Sequence, residues 1–255
     1  RKGMKENAFT KYETAAKQNP EALKLKLAQM KNECCMIRLI AHTQPEQTPL
    51  EAKKAQIIEL QVNGGDVAAK IDFASKLFEK EISVASVFKE GQQIDTISIT
   101  RGRGFEGVIH RWNVTRLPRK TRRGNRKVAC IGSWHPANVQ YTCGRAGQMG
   151  YFHRTETNKL IVMINSATKA DCCRTEFDTT NKGINPMGGW VNYGLIKGDF
   201  VMIAGSCPGT KKRTVVIRQA IQPFRNERGM KLQWICTASK MGHGMFETAE
   251  EKRNF

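Results

Sequence analysis

Acidic residues are scarce in this 255-residue chain: 23 Asp+Glu stand against 42 Lys+Arg, for a formal net charge of +19. Such a chain repels itself when alone, and its summed field attracts polyanions. Long apolar runs are also missing. No stretch approaches the roughly 18 residues that a membrane-spanning helix needs, so an integral membrane protein of that kind is set aside. The opening RKGMKENAFT has no apolar signal core. It begins on Arg1 rather than Met, so a segment upstream is expected. Core-forming material is not lacking: hydrophobic residues make up 40% and charged residues 25% of the chain. Those fractions exclude wholesale disorder, and the length suffices for one or two domains.

Metal-binding spacings are absent as well. The eight cysteines are Cys34, Cys35, Cys130, Cys143, Cys172, Cys173, Cys207 and Cys236. None forms a C-x-x-C, and a vicinal pair cannot present both sulfurs to one tetrahedral ion in the usual way. The five histidines are scattered, with no H-x-x-x-H pair. No metal, no other cofactor and no small-molecule substrate is expected. Without a secretory signal the cysteines are expected to be reduced.

The charge is unevenly placed. Residues 1–100 sum to about +2 and residues 155–255 to about +6, whereas residues 101–154 carry +11 with one acid, Glu106. The cations there are Arg101, Arg103, Arg111, Arg116, Arg119, Lys120, Arg122, Arg123, Arg126, Lys127, Arg145 and Arg154. All but two are Arg, whose planar fork suits phosphate better than the point charge of Lys. A merely solvated face would intersperse acids to relieve repulsion. Here the run is interleaved with Phe105, Trp112, Trp134, Tyr141, Tyr151 and Phe152 and with several glycines. Aromatic and guanidinium planes stack on unpaired bases, and glycine lets backbone approach phosphate closely. Nucleic-acid contact is the expectation, with Trp112, Trp134, His135 and Tyr141 joining the cations. If about six cations neutralise phosphates, affinity should fall about 10³-fold between 50 and 200 mM salt.

From Arg111 to Arg126 neither helical nor alternating periodicity is visible, and Pro118 and Pro136 break any long element. A loop of this length is unusual unless functional. It has too little apolar content to order itself, so a partner is expected to order it. A second phosphate contact is expected at Lys211, Lys212 and Arg213, presented on a turn after Gly205-Ser206-Cys207-Pro208-Gly209.

Three enzymatic motifs fail on inspection. Gly102, Gly104 and Gly107 spell G-x-G-x-x-G, but VIHRW follows where a dinucleotide fold opens a helix, and the next acid after Glu106 is Glu156. Val108 completes a kinase-type glycine loop, yet no V-A-I-K, H-R-D or D-F-G follows. Ser133-Trp134-His135-Pro136 sets a hydroxyl near an imidazole with no acid to orient it. No catalytic residue is assigned.

Asn19-Pro20 predicts a helix running to about Lys31. Cys35–His42 and Ala55–Val62 predict strands, and Gly64-Gly65 a turn. Asp66 is placed to cap a second helix with Val67, Ile71, Ala74 and Phe78 on one face. Short strands are predicted at 94–100, 160–164, 199–205, 213–219 and 231–237, a pattern of sandwiches and barrels.

The stretch RGRGFEGVIHRWNVTRLPRKTRRGNRKVACIGSWHPANVQYTCGRAGQMGYFHRTETNKL closely resembles the ribosomal protein L3 family in its eukaryotic cytosolic form. CMIRLIAHTQ at 35–44, LQVNGG at 60–65, INPMGGWVNYG at 184–194, GTKKR at 209–213 and SKMGHGMFETAEEK at 239–252 extend the likeness over nearly the whole chain. The resemblance implies a mainly β, α+β fold: a translation-protein-type β-barrel with a helical insertion and a long basic extended loop. It divides the chain into residues 1–90, the insertion with some barrel strands; 91–101 and 155–255, the barrel body; and 102–154, the RNA-penetrating loop. The tip, from about Trp134 to Gly150, would approach the peptidyl transferase centre. Tyr141 stands where relatives carry an aromatic or apolar residue, and Cys143-Gly144 departs from their small apolar pair. The family's basic N-terminal segment is absent ahead of Arg1, as is its short basic tail after Phe255, so the expectation is either a fragment or a chain in which those parts are shortened. The implied role is a structural constituent of the large subunit on a cytoplasmic ribosome, assembled in the nucleolus. Its partners would be large-subunit rRNA and neighbouring ribosomal proteins, with no membrane. A stand-alone RNA-processing enzyme, using the arm to capture RNA, is the rival reading.

Overall fold

A computed structural model describes residues 19–224 and 232–255 of the chain. In chain order it contains α1 (Pro20–Glu33), β1 (Arg38–His42), β2 (Ile57–Gln61), α2 (Val67–Leu77), α3 (Val84–Val87), β3 (Gln93–Ile99) and β4 (Gly104–Glu106). There follow α4 (Val108–Trp112), β5 (Gly147–Met149), β6 (His153–Ser166), β7 (Asp199–Ile203), β8 (Val216–Gln219) and α5 (Ala249–Asn254). Among the described residues no helix is long and apolar enough to cross a membrane. The chain divides into two units: Arg1–Lys89 with Ile164–Val201 and Leu232–Phe255, and Glu90–Met163 with Met202–Lys231.

In the first unit, Pro20 starts α1 as expected, because its missing N–H is one the first turn leaves unpaired anyway. Asn19 and Asp66 occupy the N-cap positions of α1 and α2, but neither side chain caps. Gly64 and Gly65 turn the chain at φ +90° and +67°, and Ile71 and Ala74 bury one face of α2. β1 and β2 pair antiparallel, Leu39 opposite Leu60 and Ala41 opposite Ile58.

The predicted strand at 231–237 is corrected. Lys231 lies outside the described residues, and 232–237 adopt no strand. Their carbonyls go to side chains instead: Gln233 O accepts from Thr175 Oγ1 at 2.7 Å and Ile235 O from Lys182 Nζ at 2.8 Å. Lys182 is the buried centre of this unit. Its ammonium also lies 2.8 Å from Asp178 Oδ1 and 2.7 Å from Glu247 Oε2, and 5.1 Å from the Trp234 ring centroid. Thr248 and Glu251 form a reciprocal capping box at the start of α5.

Lys240 Nζ sits 3.0 Å from Cys236 Sγ. That hydrogen bond, helped by one from the Ala238 backbone, lowers the thiol's pKa despite some desolvation. Lys240→Met is therefore expected to slow alkylation of Cys236 by iodoacetamide at pH 7.5 several-fold, read by peptide mass mapping.

β3 pairs antiparallel with both β6 and β8, in the sheet order β7-β6-β3-β8. Ile94 and Ile161 are its most buried apolar side chains. The β3–β6 register shifts between Ile94 and Thr96. There Asn158 takes φ +56°, and its N–H donates to the buried Asp95 Oδ1 at 3.1 Å. Asp95 Oδ2 accepts from Arg218 Nε at 3.1 Å.

The result is mixed α and β, rich in sheet with few helices, as the α+β expectation required. Among the described residues the sheet is open, and no strand closes it into a barrel. The run expected to supply a further strand, 231–237, is the one whose described carbonyls are engaged by side chains. VIHRW is a second correction. Val108–Trp112 is helical, starting behind Gly107 and ending where Asn113 turns left-handed at φ +54°. Its five residues are too few to make the glycine loop a dinucleotide site, which also needs the missing acid.

Candidate nucleic-acid interface

All nineteen residues singled out for RNA contact fall in the second unit. The arm opens at β4 and returns at β5, with Gly104 opposite Met149 and Glu106 opposite Gly147. Arg103 N donates to Met149 O at 2.9 Å, continuing the ladder. Gly150 must be glycine: φ is +73°, and a Cβ there would lie 2.0 Å from Arg101 O. Gly150→Ala should destabilise the protein by about 2–4 kcal/mol through left-handed strain and backbone clash, measured by urea unfolding.

The base of the arm holds itself, which composition does not reveal. Arg111 Nε donates to Gln148 O at 3.0 Å and its Nη1 to Arg145 O at 2.7 Å. Trp112 Nε1 donates to the same Arg145 carbonyl at 2.9 Å, and the Arg111 guanidinium lies 5.3 Å from the indole centroid. Gly144 and Gly147 make room for this pair; a Cβ on either would come within 3.2 Å of Trp112 or Arg111. Arg111 and Trp112 thus clamp the two sides of the arm together, and partner-driven order is not needed at its base.

Beyond Asn113 no helix or strand forms until Gly147. Leu117 N donates to Asn125 O at 2.9 Å, and Thr121 bonds Pro118 O through both its N–H and its hydroxyl. The loop closed this way carries Arg119, Lys120, Arg122 and Arg123, all exposed. Arg116, Arg126 and Lys127 flank it and are exposed too. Residues 131–142 are exposed throughout, Trp134 at 88% and Tyr141 at 99%. His135 lies among them, and Ser133 Oγ donates to the His135 carbonyl rather than to its ring, so no nucleophile–base pair is assembled.

Toward the sheet, Arg101, Arg103, Arg145 and Arg154 are exposed. Arg103 Nη1 lies 3.4 Å from His110 Nε2, whose other ring nitrogen is 3.3 Å from Glu106 Oε2. Arg154 stacks 5.0 Å from the Phe152 centroid. At the Thr210–Arg213 turn, Lys211 and Lys212 point into solvent. Arg213 instead donates to Ile99 O and Thr100 O and stacks 5.5 Å from the Tyr151 centroid. Among the described residues, none of the twelve cations at 101–154 is in an ion pair with a carboxylate. Nor do three His, Cys, Asp or Glu side chains converge as a metal set.

The family model of ribosomal protein L3 matches residues 2–242. The chain belongs to the ribosomal protein L3 family. It is 49% identical over 255 residues to the large ribosomal subunit protein uL3 of Aspergillus fumigatus, covering 98% of this chain and 65% of that protein. The uL3 proteins of Debaryomyces hansenii and Oryza sativa subsp. japonica are each 50% identical, with 65% and 66% of their lengths covered. The chain thus spans just under two thirds of these L3-family relatives, and the matched region contains the whole arm.

Proposed function

We propose that this chain is a structural, non-catalytic component of the large ribosomal subunit that binds rRNA through residues 101–154. The observation that carries it is the loop closed between Leu117 and Asn125, whose four cations meet no carboxylate among the described residues. Leaving four like charges adjacent and unpaired is unfavourable until a polyanion neutralises them. The nineteen residues then divide by role. Arg111, Trp112 and Arg213 set the arm's geometry, since each donates to backbone carbonyls. The exposed cations, Lys211 and Lys212 among them, contact phosphate, and Trp134, His135 and Tyr141 present ring faces for unpaired bases. The arm's one carboxylate, Glu106, faces His110, leaving no second acid for hydrolytic chemistry.

The same reading carries the finer division of the chain: a body that completes a barrel in the assembled particle, an insertion within residues 1–90, and a loop at 102–154 that penetrates RNA and supports the peptidyl transferase centre. It also carries residence on cytoplasmic ribosomes, assembly in the nucleolus, and contacts with neighbouring ribosomal proteins. The support is family membership together with the location of the charge. The test is sedimentation of the tagged chain from cell extract. Co-migration with large particles that RNase abolishes and DNase leaves intact is the expected result. Migration as a free chain, or turnover of RNA by the isolated protein, would overturn the proposal.

A further inference from the structure

A chain of +19 should offer little to another cation, yet one groove of the first unit does. It encloses about 480 Å³ and no Lys or Arg lines it. Phe177, Trp234 and Met245 form its apolar walls, exposed at 67%, 57% and 69%. Asp178, Glu247 and Glu251 line the same space. The segments that build it, 164–201 and 232–255, are each neutral in sum, so the basic excess of the chain lies elsewhere.

The local balance is negative. Lys182, buried beneath, offsets one charge of three through Asp178 and Glu247. Lys240 stands beside the wall residue Cys236, 3.0 Å from its sulfur. Glu247 Oε1 is a buried acceptor with no hydrogen-bond partner among the described residues. The backbone N–H of Glu247, aided by further hydrogen bonds, holds the Glu251 carboxyl below the usual range, so it is ionised at neutral pH.

We propose that this groove docks an arginine side chain from a basic segment of a protein partner. Exposed aromatic faces beside a carboxylate suit a guanidinium, which stacks flat and pairs through its edge; a lysine ammonium uses the flat faces less well. An apolar occupant would leave Glu247 Oε1 without a donor. Nucleic acid is repelled by the same groups, so the site is distinct in chemistry and in unit from the basic arm. The proposal does not rest on the arm's function.

The test is calorimetric titration of the full chain with the unlabelled peptide Ac-GGRGRGG-NH2, and with the same peptide carrying citrulline in place of arginine. Saturable binding of the arginine peptide is expected, weakened about tenfold or more by citrulline, as loss of a charge-assisted contact requires. Met245→Lys adds an ammonium at an exposed rim position and should weaken binding about as much with unchanged thermal unfolding. Phe177→Ala, also at an exposed wall, should weaken it several-fold. An rRNA fragment bound to the arm should leave the peptide affinity unchanged. Absence of saturable binding, equal affinity for the citrulline peptide, indifference to Met245→Lys, or displacement by the rRNA fragment would each overturn the proposal.

Discussion

Replacing Arg119, Lys120, Arg122 and Arg123 together by alanine is expected to lower affinity for an rRNA fragment about 10²–10³-fold at 100 mM salt. Each phosphate contact contributes roughly 0.7–0.9 to the slope of log affinity against log salt, so the variant's slope should be shallower by about three. Folding should be unaffected, because all four side chains are exposed and, among the described residues, none makes a hydrogen bond or ion pair. In cells the variant should be depleted from large particles relative to a tagged wild-type chain. Tyr141→Ala is the informative contrast. Its ring is almost fully exposed, so losing it should remove about 1–3 kcal/mol of stacking while leaving the salt slope nearly unchanged. Titrations at several salt concentrations separate the two effects. A quadruple variant that kept the wild-type slope would show that these cations do not meet phosphate.

The concentration of charge at 101–154 was legible in the sequence because segregation needs no knowledge of contacts: twelve cations with one acid read the same folded or unfolded. Strands β3, β6, β7 and β8 were legible for a related reason, since β-branched runs such as IDTISIT and RTVVIRQ between turn residues carry a local signal. The failures share a cause as well. VIHRW looks extended by propensity, but Gly107 before it and Asn113 after it allow a short helix that Arg111 and Trp112 lock to the returning chain. KLQWICT has a strand's composition, yet Lys182 and Thr175 capture its carbonyls from far away in sequence. A count of charges shows Arg111 and Arg213 only as phosphate ligands. Their bonds to backbone carbonyls give them a clamping role as well, and only three-dimensional proximity assigns that role. Nothing near Lys182 in sequence marks it as buried; its partners Ile235 and Glu247 lie more than fifty residues away.

Lys182→Ala should therefore destabilise the protein by about 3–5 kcal/mol, because it leaves buried carboxylate charge without its counter-ion. Removing the charges together, as Lys182→Met with Asp178→Asn and Glu247→Gln, should cost less, which separates an uncompensated charge from lost packing. The pH dependence distinguishes them further. Burial tends to raise the Asp178 carboxyl, but hydrogen bonds from Lys182 and Thr175 outweigh it and hold the group below its ordinary range. Its contribution is thus complete above the unfolded carboxyl value and disappears as pH falls through the folded one. Burial likewise opposes the Lys182 ammonium, while Asp178 and Glu247 raise it above its ordinary 10.5. That contribution is complete below 10.5 and disappears as pH rises through the folded value. In Lys182→Ala the cation that depresses Asp178 is gone, so protonation of the carboxyl relieves the buried charge. The deficit relative to wild type should shrink steadily as pH falls from 7 to 4 in urea-unfolding measurements. A deficit that stayed constant over that interval would mean Lys182 acts through the packing of its stem rather than through its charge.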